Sequence, residues 1–369
     1  MTTDPLSFPD YIKENYPAQG QLFGDFLCGL WATAAEALEV SAEQAARSTW
    51  MVGSVLPGWA GKRIGATPDP PSYVSGDGFP AEMSVNWSGA SPELRVLFDS
   101  LGNAASAGPA VPKNTAETRA RAARRWGRID EAFTPAAGHP SPAPLWHSVA
   151  WRPPERFVHK TYFGLYVWED HERRQAAVDE AMHRLGLAGA WADARRRIES
   201  ADGKREIEFF AVDLADGEDA RVKIYYRNHN TDLAELDRVA SVALHHDSAA
   251  ATAAYRMLTG GRTEAGEAAL SCLAFRSGLD RAAEATTYLR LPSLTSGDQE
   301  AVGRTADLLR HEGVDPQRFR DLTGALAREP LEDSEGLLEL VSYRAAGRRG
   351  DVTTYFRFPV FDRPNVPAS

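Results

Sequence analysis

The chain has 369 residues, 43% hydrophobic and 25% charged, a balance that fits a folded globular protein and excludes a disordered or fibrous one. Its 41 Lys and Arg against 51 Asp and Glu leave a net charge of −10, which excludes nucleic acid and anionic membrane as partners and means that an anionic ligand must be gripped locally. Two cysteines, Cys28 and Cys272, no apolar run of membrane-spanning length and no cationic-then-apolar leader together read as a cytoplasmic chain without a disulfide framework.

Residues 22–48 carry a helical period, and the N-terminal segment 1–70 is expected to be a helical cover without a recognisable motif. Five pairs of strand-like runs follow, each bounded by Gly, Pro or Asp turn signals: 79–87 with 93–101, 144–151 with 156–168, 205–214 with 220–227, 270–278 with 284–292, and 336–343 with 351–359. Their onsets recur every 61 to 66 residues or so, a spacing that marks an internal repeat. Helical periods fill the intervals at 171–187, 188–199, 231–244, 248–260, 297–313 and 315–329, with Asp or Ser ahead of several and Gly behind several. Five ααββ repeats without βαβ alternation predict an α+β fold: one closed antiparallel barrel of about ten strands over 71–358, helices outside, a ligand tunnel inside and a tail at 359–369, the whole of 1–369 being a single domain.

Strand side chains alternate between faces, so each run splits into two sets. Val222, Ile224 and Tyr226 oppose Arg221, Lys223 and Tyr225; Phe157, Thr161, Phe163 and Leu165 oppose Arg156, Lys160, Tyr162 and Tyr166; Met83 and Val85 oppose Glu82, Ser84 and Asn86. Thr286, Tyr288 and Arg290 form the polar set of one late strand, and Thr353, Tyr355 and Arg357 that of another. Helices cover apolar faces, so the Arg, Lys, Tyr and Glu sets point into the barrel; the other reading of this split is a half-exposed sheet whose polar face meets bulk water. A lumen lined by cations cannot be a dry core, because an unpaired buried charge costs several kcal/mol.

Arg95, Lys160, Arg221 and Lys223, joined by Arg290 or Arg357, would form a cationic site dense enough for a diphosphate. Tyr162, Tyr225, Tyr288 and Tyr355 would set electron-rich rings beside it, able to stabilise a carbocation and shield it from water. A diphosphate leaving group next to such a belt is the chemistry of allylic transfer. No DDxxD motif is present, so cations take the role that Mg²⁺ has in isoprenyl chain synthases, and no metal or other cofactor is required. The acidic and histidine runs 168–172 and 245–247 lack chelating spacing and are read as solvated helix-end clusters. His147, on a strand upstream of Lys160, could take the proton lost by an aromatic acceptor or simply be a hydrogen-bonded lumen histidine, and Trp151 on the same face could stack on that acceptor or just pack.

From about residue 70 to 358 the chain resembles the indole prenyltransferases of the dimethylallyltryptophan synthase type, the ABBA barrel family. The likeness lies in the order of its elements: Pro80-Ala81-Glu82-Met83-Ser84 before an Arg95 strand, Lys160-Thr161-Tyr162, Arg221-Val222-Lys223-Ile224-Tyr225, the run TYLRLPSLTSGDQEAV, and a last strand DVTTYF. The resemblance implies dimethylallyl diphosphate and an indole, such as tryptophan or a metabolite made from it, as substrates. It also implies diphosphate contacts from Arg95, Lys160, Arg221 and Lys223, a tyrosine shield at the four positions above, and Glu82 accepting a hydrogen bond from the indole N–H. Thr286 and Leu340 depart from the family pattern, which has a longer amide and a further tyrosine there. A tyrosine or other phenolic acceptor, and a non-catalytic tunnel protein for an anionic hydrophobic ligand, are the competing readings.

Overall fold

A computed structural model describes residues 18–361 except 90, 102–115, 134–142, 155, 199–204, 216–219, 267–268, 346, 348 and 359. Ten strands, β1 (Ala81–Asn86), β2 (Glu93–Asp99), β3 (Leu145–Arg152), β4 (Arg156–Gly164), β5 (Arg205–Asp213), β6 (Arg221–Asn228), β7 (Ala269–Arg276), β8 (Glu284–Arg290), β9 (Leu338–Arg344) and β10 (Asp351–Phe356), close into one antiparallel barrel. Every strand pairs with its neighbours in sequence, and β1 meets β10 to shut the ring. This is the barrel of five strand pairs expected from the repeat. Its closed form, with no free sheet edge, answers the alternative of a half-exposed sheet.

The seam is riveted by side chains. Asn86 Nδ2 donates to the Asp351 carboxylate and to Thr353 Oγ1 at 3.0 Å, and Trp87 Nε1 donates to Thr354 Oγ1 at 3.0 Å.

Helices α1 (Phe23–Ala37) and α2 (Ala42–Val55) precede the barrel, α3 (Ala116–Phe133) follows the first strand pair, and α4 (His171–Arg184) with α5 (Ala188–Ile198), α6 (Leu233–Ala240) with α7 (Ser248–Leu258), and α8 (Asp298–His311) with α9 (Gln317–Leu326) follow the next three. The carboxylates of Asp170, Asp232 and Asp247 accept N–H bonds from the first turns of α4, α6 and α7, which is why those helices start where the sequence places them. The acidic and histidine runs thus serve as helix caps and hydrogen-bond partners: His246 Nε2 lies 2.6 Å from Asp237 Oδ1. Asp298 has a different task. Buried at the start of α8, it accepts from the N–H groups of Leu337 and Leu338 at 3.0 Å each, tying the helix to the entry of β9.

Two apolar layers lie between helices and barrel, one under α1, α2 and α7 to α9, the other under α3 to α6. A third cluster sits inside the barrel and is mostly aromatic: Trp146, Phe209, Tyr225 and Tyr288, with Tyr162, Tyr166 and Tyr355 against it. Strand β4 ends earlier than its sequence suggests. After Gly164 the chain turns at Leu165–Val167, held by the buried Arg174 guanidinium, which donates to the backbone carbonyls of Trp168, Tyr166 and Ile207.

Candidate active site

Alternation delivers the expected polar sets to the lumen, where a cavity is lined by Glu82, Arg95, Lys160, Tyr162, Lys223, Tyr225, Tyr288, Arg290 and Tyr355, among others. Leu340, one of the two departures from the family pattern, lines it as well.

One end of the lumen is cationic. Arg95, Lys160, Arg221 and Lys223 act on one another electrostatically, and Asp213 stands among three of them. Burial, together with the neighbouring cations, pulls Lys160 well below the usual lysine range and lowers Lys223 as well. Burial by itself would raise Asp213, but Lys160, Arg221 and Lys223 outweigh it and bring the carboxyl down to about 2.

The rim of this end is a chain of ion pairs that runs nearly round the barrel. Arg221 meets Asp213 at 3.0 Å and Glu284 at 3.6 Å; Glu284 also takes Arg276 at 2.6 Å and Arg344; Arg344 pairs with Asp351. Asp351 accepts from Asn86, whose carbonyl oxygen accepts from Arg152 at 3.2 Å, and Arg152 and Arg95 both reach Glu93, at 3.5 and 2.7 Å. The carboxylates Glu93, Asp213, Glu284 and Asp351 were not singled out from the sequence, although Glu93 and Glu284 share strand parity with Arg95 and Thr286 and could have been.

Next along the lumen comes the tyrosine belt. Ring centroids lie 5.9 Å apart for Tyr162 and Tyr225, 5.9 Å for Tyr225 and Tyr288, and 5.7 Å for Tyr288 and Tyr355. At the end of the belt the Tyr355 hydroxyl lies 3.5 Å from Ser342 Oγ. Burial raises the pKa of all four, so they stay neutral phenols whose ring faces, rather than phenolate charges, meet the cavity.

The far end mixes charges with aromatic rings. Burial, and then the neighbouring Glu339, push Glu82 up to about 8 in spite of Arg290. Arg290 therefore belongs here, not with the four diphosphate candidates: it forms an ion pair with Glu339 at 3.4 Å, because its strand carries it to the opposite end of β8 from Glu284. Arg357 lies 3.6 Å from the same glutamate. Glu339 and Glu208 come from places where alternation fails. The ladder slips between Ile207 and Phe209 in β5 and opposite Tyr355/Phe356 in β9, and each slip leaves one glutamate outside the regular pairing. Glu208 lines the cavity next to Phe209 and pairs with Arg227. The segment leading into β1 covers this end: Ser72 donates to Asp99 at 2.7 Å, Asp77 accepts from the N–H groups of Val360 and Phe361 at 2.9 and 3.0 Å, and Tyr73 is thereby set 5.1 Å from Tyr166.

His147 and Trp151 are not in the lumen. On β3 the inward residues are Trp146 and Ser148, so His147 faces the helix layer, 2% exposed, with Nδ1 3.2 Å from Thr161 Oγ1 and its ring 5.8 Å from Phe98. Trp151, of the same parity, stacks near Trp31 and Phe157. Apolar residues occupy both faces of β3, which hides the parity of its single histidine.

No protein-family model matches the chain. Among solved structures it is similar to the 6-dimethylallyltryptophan synthase from Micromonospora olivasterospora in complex with DMASPP and Trp, with 28% identity and a TM-score of 0.79 over 93% of this chain and 99% of that one. It is also similar to the 5-dimethylallyl tryptophan synthase from Streptomyces coelicolor in complex with DMASPP and Trp, with 25% identity and a TM-score of 0.75 over 93% and 97% of the two chains. AnaPT from Neosartorya fischeri shares the fold at 13% identity, with a TM-score of 0.68 over 96% of this chain and 100% of that one.

Proposed function

We propose that this chain, an indole prenyltransferase of the ABBA barrel family, transfers a dimethylallyl group from dimethylallyl diphosphate to the ring of tryptophan or a related indole. The observation that carries the reading is the order of parts along one lumen: a four-cation cluster, a belt of four neutral tyrosines, then a buried glutamate.

Arg95, Lys160, Arg221 and Lys223 hold the diphosphate and take up the charge that grows on it as the allylic C–O bond breaks. The allyl cation left behind lies against Tyr162, Tyr225, Tyr288 and Tyr355, whose faces stabilise it and keep water from it. Glu82, once ionised, accepts the indole N–H bond and fixes the ring with its reacting carbon toward the cation. The new C–C bond forms from the ring's π electrons, and the ring regains aromaticity by losing the proton on that carbon. Fixed cations do here what a divalent metal does in other prenyl-transfer enzymes, which supports a metal-independent reaction. Free thiols at Cys28 and Cys272 suit the reducing cytoplasm.

The test is to incubate the protein with dimethylallyl diphosphate and a panel of indoles and phenols, with and without EDTA, and to weigh the products. Prenylated indoles formed at similar rates in both conditions are the expected result. Phenol products alone would move the acceptor class; no product from any acceptor would leave a binding protein, and loss of turnover in chelator would refute metal independence.

A further inference from the structure

We propose that Glu208 is the specificity-determining residue for the acceptor's side chain, taking a protonated amine carried on the indole, so that the chain binds aminoalkyl indoles in preference to their deaminated counterparts. The proposal rests on the prenyltransferase reading above and names a feature of its acceptor.

Glu208 is 6% exposed, lines the cavity, and accepts from Arg227 at Oε1; its other oxygen, Oε2, is buried without a hydrogen-bond partner among the described residues. A carboxylate oxygen so placed carries a desolvation cost until a donor reaches it, and a charged donor offsets that cost most. Phe209, the next residue, packs with Trp146 and Tyr166 beside the same cavity, with ring centroids 4.7 Å apart for Trp146 and Phe209 and 5.4 Å for Tyr166 and Phe209. Tyr73 extends this wall toward solvent. Aromatic faces beside a carboxylate favour an organic cation over a hydrated metal ion.

The position fits an acceptor already anchored elsewhere. Glu208 is on β5 and Glu82 on β1, strands separated by three others in the shorter direction round the barrel and five in the longer, so the two carboxylates line the same cavity from well-separated walls. An indole whose N–H is held by Glu82 can extend its C3 side chain across the lumen toward Glu208. The slip in β5 is what makes this possible, since it lets the glutamate and its neighbour Phe209 both line the cavity from consecutive positions.

The experiment is calorimetric binding of two matched pairs, tryptamine against 3-ethylindole and L-tryptophan against indole-3-propionate, to the full chain holding a non-reactive thiolo analogue of dimethylallyl diphosphate. The expected result is that wild type prefers the amine-bearing member of each pair by about tenfold or more. Glu208→Gln should bring both ratios close to one and leave 3-ethylindole affinity unchanged, while Glu208→Asp, which keeps the charge, should retain part of the preference. Unchanged affinity for the diphosphate analogue certifies that each variant is folded. A wild-type ratio near one, or an undiminished ratio in Glu208→Gln, overturns the proposal even where prenyl transfer proceeds. A preference that Glu208→Gln abolishes, in a protein that transfers no prenyl group, upholds the amine site and refutes the transferase reading instead.

Discussion

The two ends of the lumen treat charge in opposite ways. At the cationic end the rim arginines stand beside carboxylates, and Glu284 alone serves three of them, so much of the charge there is balanced before any ligand arrives. At the far end burial and Glu339 raise Glu82 to about 8, and Glu208 and Glu339 each keep one oxygen without a hydrogen-bond partner among the described residues. The first arrangement suits a ligand whose charge is always the same and large. The second leaves valences that only a particular acceptor completes, which is how a site discriminates.

That contrast breaks most visibly at Lys223, which lines the cavity without any ion pair at salt-bridge distance among the described residues and so is free to meet the diphosphate. Lys223→Ala should weaken binding of dimethylallyl diphosphate by about 1.5–3 kcal/mol, measured by calorimetry, and leave acceptor affinity alone. An unchanged diphosphate affinity would remove Lys223 from the site and with it the division of labour.

Glu82 sharpens the comparison through pH. Its carboxyl is raised to about 8, so it is mainly protonated below that pH and ionised above it. With the diphosphate saturating, kcat/KM for an indole should therefore climb as pH rises through about 8 and level off beyond, since only the ionised form accepts the N–H bond. Glu82→Gln should lie about tenfold below the plateau with that rise abolished, and 1-methylindole, which has no N–H to give, should lose little more in the variant than in wild type. Equal losses for indole and 1-methylindole would make Glu82 a salt-bridge residue.

The smallest effect on binding concerns neither end and serves as a control on both. Burial, then His159, holds His147 at about 4, against an ordinary value of 6.5. The unfolded chain thus takes up a proton that the folded chain refuses, and the stability from neutral His147 is complete above pH 6.5 and lost as pH falls from 6.5 toward 4. Thermal melts at pH 7 and pH 5 should show about 2 kcal/mol of acid loss that His147→Phe removes, with the diphosphate affinity of the variant unchanged at pH 7. A fall in turnover at neutral pH with stability intact would return His147 to the reaction.

Much of this was legible because strands alternate. Parity alone brought Arg95, Lys160, Lys223, the four tyrosines and Glu82 to one lumen, and the spacing of the repeats brought the barrel that makes a lumen of them. What escaped has physical causes. A ladder slip has no signature in a run such as REIEFFAVD, where apolar residues flank the glutamate on both sides, so Glu208 and Glu339 fall outside a period-two reading. Strand parity also says nothing of height along the barrel axis, so Arg290 was grouped with cations that stand at the other end. Helix α3 was not read from the sequence at all, although its charged and apolar positions alternate with a clear helical period.

The seam between β1 and β10 joins residues far apart along the chain, whereas every other strand pairing is between sequence neighbours. Asp351 stands in both structures at once, accepting from Asn86 across the seam and pairing with Arg344 in the rim of ion pairs. Unzipping the barrel at its one long-range joint therefore dismantles the ion-pair rim in the same movement. A ligand bound across that rim would act as a clasp on the seam and hold down the rate at which the ring comes open.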